Sequence, residues 1–232
     1  MKHSILFSST LCLIIGLFCG MIIPAALWNE HPAAELLPSV YDGSSSDRSN
    51  IESTDSRLYD TLDPEDNAEL MSACFRVLNA LKEKDYVLLA STVHPNKGVT
   101  FTPYSTVEPN SNINLSALQI SKLASDETVY TWGHVDGRGS LIEMTIPQYL
   151  ENYVCDADYS QAPEIGIDRV LISGNALENV AVAYPNCRYV DFCYPSLDPV
   201  NQGLDWHSLK LVFEPSDTRW LLVGIIHSQW TI

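Results

Sequence analysis

The segments "LDWHSLKLVFEP", residues 204–215, and "TRWLLVGIIHSQW", residues 218–230, decide the fold of this chain. Each is rich in branched and aromatic residues, and Pro215, Ser216 and Asp217 join them, so they read as a β-hairpin. Residues two apart in a strand share a face. His227 is therefore expected beside Leu221, Val223 and Ile225, and Asp205 and His207 beside Leu209, Leu211 and Phe213. If Phe213 stands opposite Arg219 or Leu221, the two histidines and Asp205 meet on one face. If it stands opposite Trp220, His227 turns to the other face with Trp206. Both registers are open to this sequence.

Working outward, further strands precede the hairpin. "GVTFTPY" (98–104), "EIGIDRVLI" (164–172) and "ENVAVAYPNCRYVDFCYP" (178–195) read as extended. "TVYTWGHV" and "SLIEMTI" flank "DGRG" (136–139), whose glycines suit the positive φ of a tight turn. Helices come first. Asp63 can cap, Pro64 suits a first helical position, and Leu70, Met71, Cys74, Val77, Leu78 and Leu81 recur at helical spacing. "DYVLLASTV" gives a second short helix ending at His94-Pro95. "SALQ" (116–119) and "TIPQ" (145–148) place a hydroxyl three residues before Gln, the pattern of a capping box. The expected class is α+β: N-terminal helices packed on a curved, mostly antiparallel, cone-like sheet.

The chain has 232 residues and a net charge of −16. Residues 4–28, "SILFSSTLCLIIGLFCGMIIPAALW", hold no charge, and as a helix they are long enough to cross a bilayer core of about 30 Å. Lys2 precedes the run and acids follow it, which places the remainder outside the cytoplasm. Residues 1–28 thus read as a single-pass membrane anchor, or as a signal segment whose cleavage near Ala25 and Ala26 would release a secreted protein. Phe18 before Cys19 speaks against lipidation. Residues 29–69 carry eleven acids against Arg48 and Arg57, and the expected tether, 29–63, buries too little apolar surface to order itself. The expected domain is 64–232. Its own excess of acids excludes the basic footprint of a nucleic-acid binder.

Cys74, Cys155, Cys187 and Cys193 fall in that domain. A straight strand from 187 to 193 would hold its ends about 20 Å apart, beyond disulfide reach, and the four read as small buried thiols. "VHPNKGVTFTPY", "TVYTWG", "DWHSLKLVFEP" and "LLVGIIHSQWTI", in this order, resemble a family of exported bacterial proteins with the SnoaL and nuclear-transport-factor-2-like cone fold. The resemblance runs from about Leu70 onward. It implies a curved sheet closing over helices around a pocket that some relatives use for catalysis and others for binding, and it carries no activity onto any residue here.

The ligand-pocket candidates are His227, His207, Asp205, His94, Tyr104 and Trp132, with Tyr130 and His134 in the same row as Trp132. A carboxylate beside imidazoles at an apolar mouth can support general acid–base chemistry. Against this, a buried histidine ordinarily meets one backbone partner, buried indoles fill cores, His94 can end its helix, and His134 beside the turn is solvent-facing. No zinc motif, nucleophile elbow or phosphate loop occurs, so neither a metal nor a cofactor is expected. Asp156 and Asp158 in "CDADYSQAPE" lack the rest of a calcium loop and read as an acidic surface turn. The leading functional reading is a membrane-tethered, extracytoplasmic domain that binds a small ligand or an envelope protein without catalysis, as a monomer or a homodimer. The alternative is a hydrolase or isomerase using His227 with Asp205 or His207.

Overall fold

The computed structural model describes residues 64–231, which form helices and two sheets. The expected anchor, the acidic tether and the Asp63 cap lie outside the described residues. Among the described residues no helix is long and apolar enough to cross a membrane.

Helix α1 (Pro64–Lys82) opens on Pro64 with Glu65 and Asp66 in its first turn, where the helix dipole favours acids. It buries Leu70, Cys74, Val77, Leu78, Ala80 and Leu81, close to the expected stripe. Asp85 caps α2 (Tyr86–Thr92) by accepting from the Leu88 amide. Both expected capping boxes form. Ser116 and Gln119 start α3 (Ala117–Ile120), and Thr145 and Gln148 start α4 (Ile146–Tyr149).

The main sheet has six strands: β1 (Val99–Thr102), β2 (Ile113–Leu115), β5 (Glu164–Ile167), β6 (Arg188–Tyr194), β7 (His207–Ser216) and β8 (Arg219–Gln229). Their order is β2-β1-β8-β7-β6-β5, antiparallel except where β1 runs parallel to β8. Strands β3 (Val129–His134) and β4 (Leu141–Thr145) form a separate hairpin, with Gly137 and Gly139 at positive φ as the turn requires. The class is α+β with a mostly antiparallel sheet.

The β7–β8 register is neither of those expected. Phe213 pairs with Leu222, and an irregularity follows before Val212 pairs with Gly224 and Leu209 with His227. Strict alternation from Phe213 would have split the two histidines between faces. A bulge inserts one unpaired residue, Val223, which turns away with Val212 and Ile226. Leu222 instead joins Ile225, Leu209, Leu211 and Phe213 on the face covered by helices. His207 and His227 therefore share that inner face.

The other face is also covered, which explains the unbroken burial of Leu221 to Ser228. Its cover comes from residues expected to be strand. After β5 the backbone turns at Asp168, at φ 49°, and its side chain accepts from the Tyr189 amide and Arg188 Nε. Residues Val180–Ala183 form a helical turn, and Val180 and Ala183 pack with Val107, Val212, Val223 and Ile226. Tyr184 from this cover reaches Gly224, where an added Cβ would stand 2.9 Å from its hydroxyl. All four domain cysteines are free, but only Cys74 and Cys193 are buried; Cys155 is exposed and Cys187 half-buried.

Candidate functional site

The site is assembled where α4 runs directly into a π-turn, Leu150–Val154. The Cys155 amide closes it by donating to the Leu150 carbonyl at 2.7 Å, an i→i+5 bond of the kind that recurs at functional positions. The extra residue sends alternate side chains of the next segment in opposite directions. Cys155 and Ala157 line a surface cleft. Asp156, between them, points inward to the two histidines of the hairpin.

Asp156 Oδ2 accepts a short hydrogen bond from His207 Nδ1 and lies 3.3 Å from His227 Nε2. Its Oδ1 accepts from the Tyr159 hydroxyl at 2.9 Å. His227 Nδ1 is 2.9 Å from the Pro103 carbonyl oxygen. A carbonyl only accepts, so Nδ1 carries the proton there. Nε2 faces the Asp156 carboxylate. Tyr153 packs its ring edge against His227, and the two imidazoles meet edge to face, with centroids 5.9 Å apart. The His227 side chain is 0% exposed, Asp156 12% and His207 21%. Only His207 and Asp156 can be reached from solvent. Burial alone would push the Asp156 carboxyl up, but the hydrogen bonds and charge of His207 and His227 outweigh it and hold it below the usual carboxylate range.

The remaining candidates lie elsewhere. Asp205 does not join the histidines. It accepts from Ser196 Oγ, the Leu197 and Asp198 amides and Asn201 Nδ2, so its role is to tie a loop. His94 accepts from the Asn96 and Lys97 amides through Nδ1 and organises the turn after α2. Trp132 is core: its indole N–H donates to the Met144 carbonyl and its ring stacks on Tyr149 at 3.8 Å. Tyr104 receives the Asp136 amide on its hydroxyl. Tyr130 donates to Asp126, and His134 is exposed as expected. Asp158 is a surface residue paired with Lys82 at 2.8 Å.

Asp156 is the functional side chain that sequence reasoning missed, since the "DADY" turn is half surface and half site. The available signal was Tyr159, placed three residues on, where a hydroxyl can return to Asp156.

The cleft on the other side of this segment has a volume of about 420 Å³, within the range of small-molecule sites. Leu78, Leu81, Leu150, Val154 and the rings of Tyr86 and Tyr159 give it an apolar floor, with Lys82, Lys84, Glu151 and Asp158 at its rim. None of the six sequence candidates lines it. Tyr159 belongs to both places, with its ring on the cleft and its hydroxyl on Asp156.

A second buried polar group lies on the opposite sheet face. Lys210 Nζ, 0% exposed, sits 2.9 Å from Glu178 Oε2 and donates to Ser228 Oγ at 3.2 Å. On the neighbouring strand, Asp191 accepts from Ser208 Oγ and from the Leu171 amide. Burial pushes the Asp191 carboxyl up, although Lys210 and these hydrogen bonds pull it back.

No protein-family model matches the chain, and no curated protein matches it. Solved structures similar to it include two nuclear-transport-factor-2-like proteins of unknown function. One, from Shewanella baltica OS155, is 11% identical, covers 72% of this chain and 95% of its own, and has a TM-score of 0.32. The other, from Shewanella oneidensis MR-1, is 12% identical, covers 70% and 98%, and has a TM-score of 0.31. The chemistry of the site rests on its own side chains.

Proposed function

We propose that this protein is a small-molecule binding domain, and that the ligand is a compact, largely apolar molecule held in the cleft between α1 and residues 147–160. The observation that carries this reading is the cleft itself, a concave site of about 420 Å³ floored by leucine, valine and tyrosine side chains. Burying such a ligand gains roughly 25 cal/mol per Å² of apolar surface removed from water. In the cleft wall the Ser160 hydroxyl donates to Asp158, a carboxylate that also caps the turn at Tyr159–Gln161 and pairs with Lys82. In this reading the apolar run at residues 4–28 holds the domain at the outer face of a membrane and the acidic segment 29–63 spaces it from the lipid. The run's length and the absence of charge within it support that placement.

A fluorescence titration with 1-anilinonaphthalene-8-sulfonate tests the cleft. The native protein is expected to bind one dye, and Ala157→Phe, at a half-buried wall position, to abolish binding with the melting temperature retained. Dye binding unchanged in Ala157→Phe would place the apolar site elsewhere.

A second reading is favoured by the partly exposed His207–Asp156 pair. Catalysis at this pair would assign general base to His207, oriented by Asp156, in a hydrolase or isomerase. Both nitrogens of His227 are engaged and its ring is buried, so its part would be positional.

A further inference from the structure

We propose that Asp156, His207 and His227 form a binding site for one divalent transition-metal ion, of which Zn²⁺ is the natural occupant by ligand chemistry. His207 Nδ1, His227 Nε2 and an Asp156 carboxylate oxygen all lie within 4.8 Å of one another. Two imidazoles and a carboxylate are the donor set that late first-row ions prefer over calcium or magnesium. The inference stands on this geometry, apart from the cleft.

Three features show that the donors are aimed rather than merely near. The Pro103 carbonyl holds the His227 proton on Nδ1 and so turns the Nε2 lone pair toward the carboxylate; a backbone carbonyl on the far nitrogen is the usual outer support of a metal-bound histidine. The Tyr159 hydroxyl occupies Asp156 Oδ1 and leaves Oδ2 to the centre. Zinc bonds of about 2.0–2.1 Å to nitrogen and oxygen give a tetrahedron with edges of about 3.3 Å. The separation of His227 Nε2 from Asp156 Oδ2 is already 3.3 Å. The three ligand atoms already lie within 4.8 Å of one another, so side-chain adjustments alone bring them to that spacing.

A metal satisfies all three donors at once and leaves a fourth position on the side where His207 and Asp156 reach solvent. Three protein ligands with one open position is the arrangement of a zinc that binds water or substrate, not of a closed structural zinc. The ligands are 51 residues apart for His207 and Asp156, and 71 for His227 and Asp156, so no contiguous motif announces them.

The test uses the full chain, stripped with chelator and titrated with Zn²⁺ by calorimetry and with Co²⁺ by visible absorption. One equivalent of Zn²⁺ per chain is expected, with the strong visible bands of four-coordinate Co²⁺. His207→Gln, at the partly exposed ligand, is expected to weaken binding by at least about a hundredfold. Tyr159→Phe is expected to weaken it by about tenfold, the effect of a lost outer hydrogen bond. Cys155→Ser, which removes the nearest exposed thiol, is expected to leave it unchanged. Absence of a stoichiometric site, binding that survives in His207→Gln, or binding lost in Cys155→Ser would each overturn the proposal. Because His207 is partly exposed, its variant tests the site even if Asp156→Asn does not fold.

Discussion

Replacing Asp156 by alanine is expected to cost the metal-free protein about 3–5 kcal/mol, because the carboxylate meets a polar atom of each of three side chains. His207 and His227 meet its Oδ2, and the Tyr159 hydroxyl donates to its Oδ1. The Tyr159 ring is buried, so water cannot freely replace the lost acceptor, and an orphaned hydroxyl of this kind costs about 1–3 kcal/mol. His227 is fully buried. In the variant it keeps its bond to the Pro103 carbonyl, which limits its loss to the one contact at Nε2, about 1–3 kcal/mol. His207, partly exposed, recovers some of its loss by turning to water. Asp156→Asn retains an acceptor for Tyr159 and a polar group facing His227 Nε2, so its cost should be about 1–2 kcal/mol. Urea unfolding of chelator-treated protein at neutral pH, followed by tryptophan fluorescence, measures both. A loss below about 1 kcal/mol in the alanine variant, or an asparagine variant as unstable as the alanine one, would refute the reasoning.

Other consequences are equally direct. Lys210→Met leaves the buried Asp191 without its neighbouring cation and should destabilise by about 3–5 kcal/mol at neutral pH. Because the folded-state pKa of Asp191 is raised, its term favours folding below the unfolded carboxylate value and is lost as pH rises through the folded value. Without Lys210 that value rises further, so the deficit should shrink as unfolding is repeated at progressively lower pH; a constant deficit would contradict the assignment. Gly224→Ala would set a Cβ 2.9 Å from the Tyr184 hydroxyl and 3.2 Å from Val212 Cβ, for a loss of about 1–3 kcal/mol. Tyr184→Phe in the same background should recover part of it in thermal melts. Ser116→Ala removes one half of a capping box and should cost about 1 kcal/mol by the same measure.

The helical half of the fold was legible in local chemistry. Pro64 with its acids, the Leu70-to-Leu81 stripe and the two hydroxyl-to-glutamine boxes each specify an element within a few residues of themselves. The strands of the terminal hairpin were legible too, but not their register. That depends on one extra residue, Val223, whose outward turn is driven by contacts with Val212 and Ile226 and not by its neighbours in sequence. Residues 168–172 and 178–187 look extended because of their valines and Ile172. They form a cover instead, because the turn at Asp168 ends the β5 ladder and Val180 and Ala183 pack on an apolar sheet face. Lys210 alternates as a solvent-facing residue would, and the same cover encloses it.

Of the site, one of the open registers brought His207 and His227 together, whereas Asp205 was set beside them by an alternation that stops short of it, because the strand begins at His207. Its loop curls back on its own amides. Asp156 takes its place through the π-turn, a single i→i+5 bond whose effect on side-chain direction has no marker in residue type. His227 itself answers to both readings of a histidine in an apolar strand: it is buried with a backbone partner, and its other nitrogen faces a carboxylate.

The claim that the cleft beside α1 is a binding site is tested most directly by methyl NMR of the purified protein during titration with 1-anilinonaphthalene-8-sulfonate. The account predicts saturable shifts at the methyls of Leu78, Leu81, Leu150 and Val154, with Leu211 and Ile226 in the sheet unmoved. Shifts confined to other residues, or none at saturating dye, would contradict it.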